Sequence, residues 1–237
     1  MDSTAYTTLT RQSGLMRELQ AIANNIANAS TTGFRREGVI FSEFVHRMQG
    51  APSLSMARAA GRNIDLTPAD FSMTGGSFDF AIEGEGFFLI DTPAGNRLTR
   101  AGSFTQSATG ELVNPDGYRL LDAGGAPIFV PSDAGMIALS PDGTLSANGA
   151  PLAQLGLWMP EDPDTLIHEG GTLFAALSGE VPQAEGRILQ GQLEGSNVNP
   201  VIEVSRMIDV QRSYELGQSF LDREDERLRG VIQTLGR

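Results

Sequence analysis

A chain of 237 residues with a formal charge of −12 can hold one compact domain plus extensions, and it lacks the basic patch needed to neutralise phosphates, so nucleic acid is excluded as a partner. It contains no cysteine, which removes disulfides, thiolate metal sites and thiol nucleophiles together. No apolar run is long enough to span a bilayer, and the N-terminus lacks the basic and hydrophobic regions of a secretory signal peptide, so direct membrane insertion is not expected.

The chain opens on a helical pattern from Asp2 to Phe34. Leu9, Gln12, Met16, Leu19, Ala23 and Ile26 recur at steps of three and four, with Leu15 and Ile22 widening the stripe. Ser3 or Thr4 supplies a cap. Thr31-Thr32-Gly33 ends the helix, because β-branched residues lose side-chain freedom and glycine tolerates a left-handed conformation. The asparagines at 24, 25 and 28 are poor interior helix formers, since their amides compete for nearby backbone groups. In a packed bundle Asn24 and Asn25 can hydrogen-bond across to neighbours, while Asn28 reads equally well as the cap of a fraying end.

Residues 35–73 read as an extended linker region. Val39, Phe41, Phe44 and Val45 suit either a helix extension or a strand. The stretch from Gln49 to Arg62, with Pro52 and Gly61, has a loop's composition. Arg58 and Arg62 make it locally positive, a pattern read as a solvated loop ahead of a dock for an acidic neighbour.

Residues 74–193 form a central β domain. Phe78, Phe80 and Ile82 alternate with Asp79 and Ala81, Gly84-Glu85-Gly86 turns the chain, and Phe87 to Ile90 forms a buried strand. Asn114-Pro115-Asp116-Gly117 and Pro141-Asp142-Gly143 are strong turn signals. Short strands are expected at Tyr118–Leu121, Ile128–Val130, Ile137–Leu139, Leu155–Met159, Leu173–Ala176 and Ile188–Leu193. Their spacing predicts a small barrel or sandwich, with Trp158 as a core or edge aromatic.

Residues 194–237 carry the last helix. Asn199 is a good N-cap and Pro200 suits the first helical position. Val204, Met207, Gln211, Tyr214, Gln218, Leu221, Asp225, Leu228, Ile232 and Leu235 step by three and four, an apolar stripe of coiled-coil width. Gln211, Gln218 and Asp225 share one heptad position, where polar residues tend to fix register and partner. The predicted class is therefore α+β: N- and C-terminal helices forming a coiled-coil-like layer, with a central, mainly antiparallel β domain.

Signals for catalysis are weak. His46 and His168 are the only histidines, and neither has Asp, Glu or His at ligand spacing. No nucleophile elbow or phosphate-binding glycine loop occurs, and Gly84-Glu85-Gly86 lacks the third glycine and following helix of a dinucleotide site. Glu83 and Glu85 resemble a carboxylate pair, but acids beside a turn read better as a solvated edge that discourages strand pairing. No cofactor is expected.

Three ordered runs carry a resemblance. Ala23-Asn24-Asn25-Ile26-Ala27-Asn28-Ala29-Ser30-Thr31-Thr32-Gly33-Phe34-Arg35 resembles the N-terminal signature of bacterial flagellar rod and hook proteins. Leu193-Glu194-Gly195-Ser196-Asn197-Val198-Asn199-Pro200, with Arg206-Met207-Ile208 and Gln211-Arg212-Ser213-Tyr214-Glu215, resembles their C-terminal one. A third match runs from Thr74 to Phe88 and on to Thr99-Arg100-Ala101-Gly102-Ser103-Phe104. Total length without a large insertion is similar to that of proximal-rod members rather than the longer distal-rod and hook proteins.

The resemblance implies a structural subunit whose terminal helices form the inner layer of a helical tube, with the β domain outside. It implies other flagellar rod proteins as partners, passage through the flagellar type III export apparatus, and a place in the periplasmic part of the basal body. The candidate assembly interface is then Leu9, Met16, Leu19, Asn24, Asn25 and Ile26 in the first helix. In the last helix it is Val204, Met207, Gln211, Tyr214, Gln218, Leu221, Leu228 and Ile232. From pattern alone the helices can instead pack on their own β domain. A secreted β-domain binding module dimerised by a coiled coil is the rival from another class, and an enzyme acting on cell-wall glycan is more distant.

Overall fold

The computed structural model describes residues 2–46 and 54–235, with side chains described for residues 7–41 and 61–234. Two compact units are built from interleaved segments: Met1–Ala27, Glu37–Asn63 and Asn199–Arg237 in one, Asn28–Arg36 and Ile64–Val198 in the other.

The first unit holds helix α1 (Asp2–Ala27), a two-stranded sheet of β1 (Glu37–His46) and β2 (Leu54–Ile64), and helix α2 (Pro200–Leu235). At 36 residues α2 is about 54 Å long. Asn199 caps it as expected, its Oδ1 accepting the N–H groups of Val201 and Ile202. Helix α1 stops at Ala27, short of the expected Phe34, because the Asn28 carbonyl accepts the Thr31 N–H and closes a turn instead. The expected linker contains β1 and β2 as paired strands. Residues 47–53 and the side chains of His46 and Arg58 lie outside what is described.

The helices run antiparallel: Gln12 meets Tyr214, Glu18 meets Arg206 and Asn25 meets Glu203. Leu15, Ile22 and Val210 are buried in the contact, with Leu19, Ile26, Met207 and Tyr214 half-buried around them. The face α2 turns towards α1 therefore follows Glu203, Met207, Val210, Tyr214 and Gly217. Of the expected stripe, Met207 and Tyr214 lie on this face, and Val204, Gln211 and Gln218 are exposed in the single chain. In α1 the residues expected to widen the stripe, Leu15 and Ile22, are its centre, and Leu9 and Met16 are exposed. A second face of α1 packs on β1, where a side chain at Gly14 would strike the Phe41 ring.

The second unit is the β domain. Its largest sheet has seven antiparallel strands, in the order Leu166–Gly170, Leu173–Ala176, Gly95–Thr99, Phe88–Thr92, Arg119–Leu120, Leu112–Val113 and Thr105–Gln106. Smaller sheets pair Phe80–Glu83 with Arg187–Gln190 and Phe71–Met73 with Gln192–Glu194. Phe88 and Ile90 enter one apolar cluster with Phe80, Leu112 and Leu120, while Phe87 and Leu89 enter another with Leu98 and Phe174. Both faces of this strand are covered, which is why its sequence is an unbroken apolar run rather than an alternating one.

The strand expected at Ile188–Leu193 is divided at Gly191, whose φ of 73° is open to glycine and turns the chain. Residues 128–130, expected as a strand, contribute one isolated bridge, Phe129 to Glu111, and Pro127 just before them bridges Leu121. Trp158 is half-buried beside the second apolar cluster.

Candidate functional site

Two groups of residues do more than fill a core. In the helix pair, Asn25 is fully buried and bonds three ways. Its Oδ1 accepts the Glu37 N–H at 2.9 Å, and its Nδ2 donates to the Glu37 carbonyl at 2.8 Å and to Glu203 Oε2 at 3.1 Å. One amide thereby ties α1 to the start of β1 and to the first turn of α2. The ion pair Glu18–Arg206 and the Gln12 amide on the Tyr214 carbonyl add cross-links further along. Hydrogen-bonding geometry of this kind fixes register more sharply than apolar contact does.

Outside the contact with α1, α2 carries an apolar stripe at Val201, Val204 and Ile208, exposed by 74%, 46% and 44%. Leu216, Phe220, Leu228, Val231 and Ile232 are also exposed. Large apolar side chains in such density on one helix mark an interaction surface.

The second group lies within the β unit, where the segments beside the helices pass each other. Glu194 is fully buried and accepts from Arg35 Nη2 at 2.6 Å, Arg100 Nη1 at 3.3 Å and the Ala69 N–H at 3.1 Å. Arg100 also donates to the carbonyls of Ile82 and Gly84, and its guanidinium lies 5.4 Å from the centre of the Phe87 ring. Burial, reinforced by the nearby charge of Arg35, pushes the Arg100 pKa down to about 10 against the pull of Glu194, so the group stays charged at neutral pH. Asn197 is a clamp: it accepts the Arg36 N–H at 2.7 Å and donates to the carbonyls of Asp65 and Thr67.

Gly33 belongs to the same crossing. Its N–H donates to the Glu194 carbonyl at 2.8 Å, its φ is 72°, and a Cβ there would overlap the backbone of Arg100 and Ala101. Gly33→Ala should lower the stability of the β unit by about 2 kcal/mol, from left-handed strain plus overpacking. Chemical denaturation followed by the fluorescence of Trp158, the single tryptophan, reads this directly.

Of the expected interface residues, Asn25, Leu19, Ile26, Met207 and Tyr214 are engaged within the helix pair, and Asn24 and Leu221 are half-buried. Leu9, Met16, Val204, Gln211, Gln218, Leu228 and Ile232 are exposed. The roles of Arg35, Arg100, Glu194 and Glu203 were missed. Their one local signal was a charge set among glycine and apolar residues, as in Gly33-Phe34-Arg35 and Leu193-Glu194-Gly195. Glu83 and Glu85 are exposed, His168 Nε2 contacts the Gly171 carbonyl, and no cluster able to hold a metal occurs among the described residues.

The β unit thus holds a buried charge clamp, and the helix unit carries an exposed apolar stripe on α2. Residues 6–35 match the family model described as flagella basal body rod protein. Residues 81–147 match the flagellar hook protein FlgE/F/G D1 domain, and residues 189–234 match the flagellar basal body rod FlgEFG protein C-terminal family. The chain belongs to the flagellar basal-body rod protein family.

Within that family it is FlgF-like. It is 35% identical to the flagellar basal-body rod protein FlgF of Caulobacter vibrioides, covering 100% of this chain and 99% of the relative. FlgF of Mesorhizobium japonicum is 36% identical over the same shares. FlgG of Bacillus subtilis is 32% identical over 96% of this chain and 97% of its own length.

Proposed function

We propose that this chain is a proximal-rod subunit that polymerises through α1 and α2 into the shaft carrying motor torque. Its structural, non-enzymatic role and its place in the flagellar basal body follow from family membership. The exposed stripe Val201, Val204 and Ile208 carries the assembly reading, because it lies on α2 and α1 leaves it uncovered. Repeated heterologous contacts that do not close generate a helical filament. Coiled-coil-like packing between subunits would bury that stripe, with Gln211 and Gln218 selecting register and partner. Neighbours would be other rod proteins, delivery would be through the flagellar type III export apparatus, and the assembled site would be the periplasmic part of the basal body.

Assembly and ordering are coupled in this reading. Among the described residues only three apolar side chains are buried in the helix-pair cluster, so the pair gains most of its burial from neighbours. Amide hydrogen exchange should therefore be fast in residues 2–27 and 200–235 of the free chain, slow there in the polymer, and slow in the β unit throughout. Equal protection of the helices in both states would mean a self-contained coiled coil, and this reading would fail.

A further inference from the structure

Among the asparagines of this chain only Asn148 precedes a glycine. Asn148-Gly149 is the two-residue loop between strands Thr144–Ala147 and Ala150–Gln154, with Ala147 paired to Ala150 across its base. Both loop residues have positive φ, 50° and 82°, the type I′ turn whose twist suits a hairpin. Asn148 is the single non-glycine residue with positive φ among those described, and it is exposed. Two hydrogen bonds hold it to the preceding segment. The Asn148 N–H donates to the Met136 carbonyl at 2.9 Å, and the Met136 N–H donates to Asn148 Oδ1 at 3.1 Å. Gly135 leaves room for that amide, since a Cβ there would overlap it.

The same pair is chemically reactive. Glycine has no side chain to hinder approach to its nitrogen and little restriction on its backbone. The Gly149 nitrogen can add to Asn148 Cγ and close a cyclic imide as the Cγ–Nδ2 bond breaks. Ammonia leaves, carrying the proton that the Gly149 nitrogen gives up. Water then opens the ring, either at Cγ to give an aspartate or at the main-chain carbonyl to give an isoaspartate, whose backbone runs through Cβ and Cγ. The net change consumes water, releases ammonia and creates a carboxylate, with no oxidant or reductant. Ring closure needs the Gly149 nitrogen on the side-chain side of the Asn148 Cα–C bond. The closed turn forbids this: with ψ about +30° at its first central residue, a type I′ turn holds that nitrogen nearly opposite Cβ.

We infer that Asn148-Gly149 is a site of spontaneous backbone modification, shielded while the hairpin is closed and reactive when it opens or before it folds. The two products differ in consequence. An aspartate at 148 keeps an oxygen for the Met136 N–H and tolerates the left-handed conformation. An isoaspartate adds a methylene to the main chain, so a two-residue loop no longer sets Ala147 opposite Ala150, and the hairpin loses the register that its turn fixed. The chain thus carries a one-way record of the time its hairpin has spent open.

Full-length protein is incubated at mildly alkaline pH, in buffer and in guanidinium chloride. Conversion at each asparagine is followed by peptide mass mapping, and isoaspartate is identified by enzymatic methylation of its carboxylate. Conversion at Asn148 should be at least about tenfold faster in denaturant, the ratio following the population of the open hairpin, and should exceed that at every other asparagine. Equal rates in the two conditions, or no preference for Asn148 in denaturant, would overturn the proposal. A second measurement compares Asn148→Asp with isoaspartyl chains made in denaturant and refolded. Asn148→Asp should keep the Trp158 unfolding midpoint and the slow hydrogen exchange of the Met136 amide, whereas the isoaspartyl chains should lose that protection. Equal protection of the Met136 amide in both would overturn the assigned loss of register.

Discussion

Replacing Glu194 by Gln should cost the β unit about 3–5 kcal/mol, the range for removing one partner of a buried ion pair. The substitution is nearly isosteric, so little of the loss would come from packing. It would come from charge: Arg35 and Arg100 have fully and almost fully buried side chains, and Glu194 is the carboxylate both contact. Without it two guanidiniums stand in one apolar site with only carbonyls and a ring face for compensation. Arg35→Met tests the same account from the other side, because it leaves one cation against one carboxylate. It should cost less than half as much. Both values come from denaturation of the full chain followed at Trp158. A Glu194→Gln loss below about 1 kcal/mol, or an Arg35→Met loss equal to it, would show that the cluster is held by shape rather than by charge balance.

The prediction concerns residues whose identities were plain in the sequence but whose partnership was not. Arg35 and Glu194 are 159 residues apart, and neither has a neighbour in the chain that hints at the other. Local signals fared better. Asn199-Pro200 could be read as a cap because the chemistry of a helix start is contained within four residues. Phe87 to Ile90 could be read as buried because an unbroken apolar run leaves no face for water. Leu173–Ala176 lies where its pattern put it.

The helix seam shows where such reading stops. Pattern alone prefers Val204 to Glu203, yet Glu203 is the buried one. What buries it is the Asn25 amide, 178 residues away, together with Arg206 one turn on. At the next heptads Val210 and Gly217 face α1 while Gln211 and Gln218 are exposed. Gly217 carries no apolar signal at all; its value is the room it leaves for Gln12. Asn197 is similar, since its contacts to Arg36, Asp65 and Thr67 come from segments that no local rule brings together.

Asn25→Ala should raise the critical concentration for polymerisation about a hundredfold. Three buried hydrogen bonds at about 1 kcal/mol each give about 3 kcal/mol, which is that factor. The readout is assembly because the proposed ordering of the helices is coupled to it, and the Trp158 midpoint should not move because Asn25 belongs to the helix unit. Asn25→Asp separates hydrogen bonding from shape. The new carboxylate can still accept the Glu37 N–H, but it loses the donor and sets a second negative charge about 3 Å from Glu203. At neutral pH it should therefore be worse than Asn25→Ala. Two carboxylates in one site raise the pKa of the pair, so the folded arrangement binds a proton more readily than the unfolded chain. Stability lost at neutral pH should then return as the pH falls through the raised value, and polymerisation of Asn25→Asp should improve on mild acidification while Asn25→Ala does not respond. Parallel behaviour of the two variants across that range would mean that Asn25 acts as a spacer, and that register in the helix pair is set elsewhere.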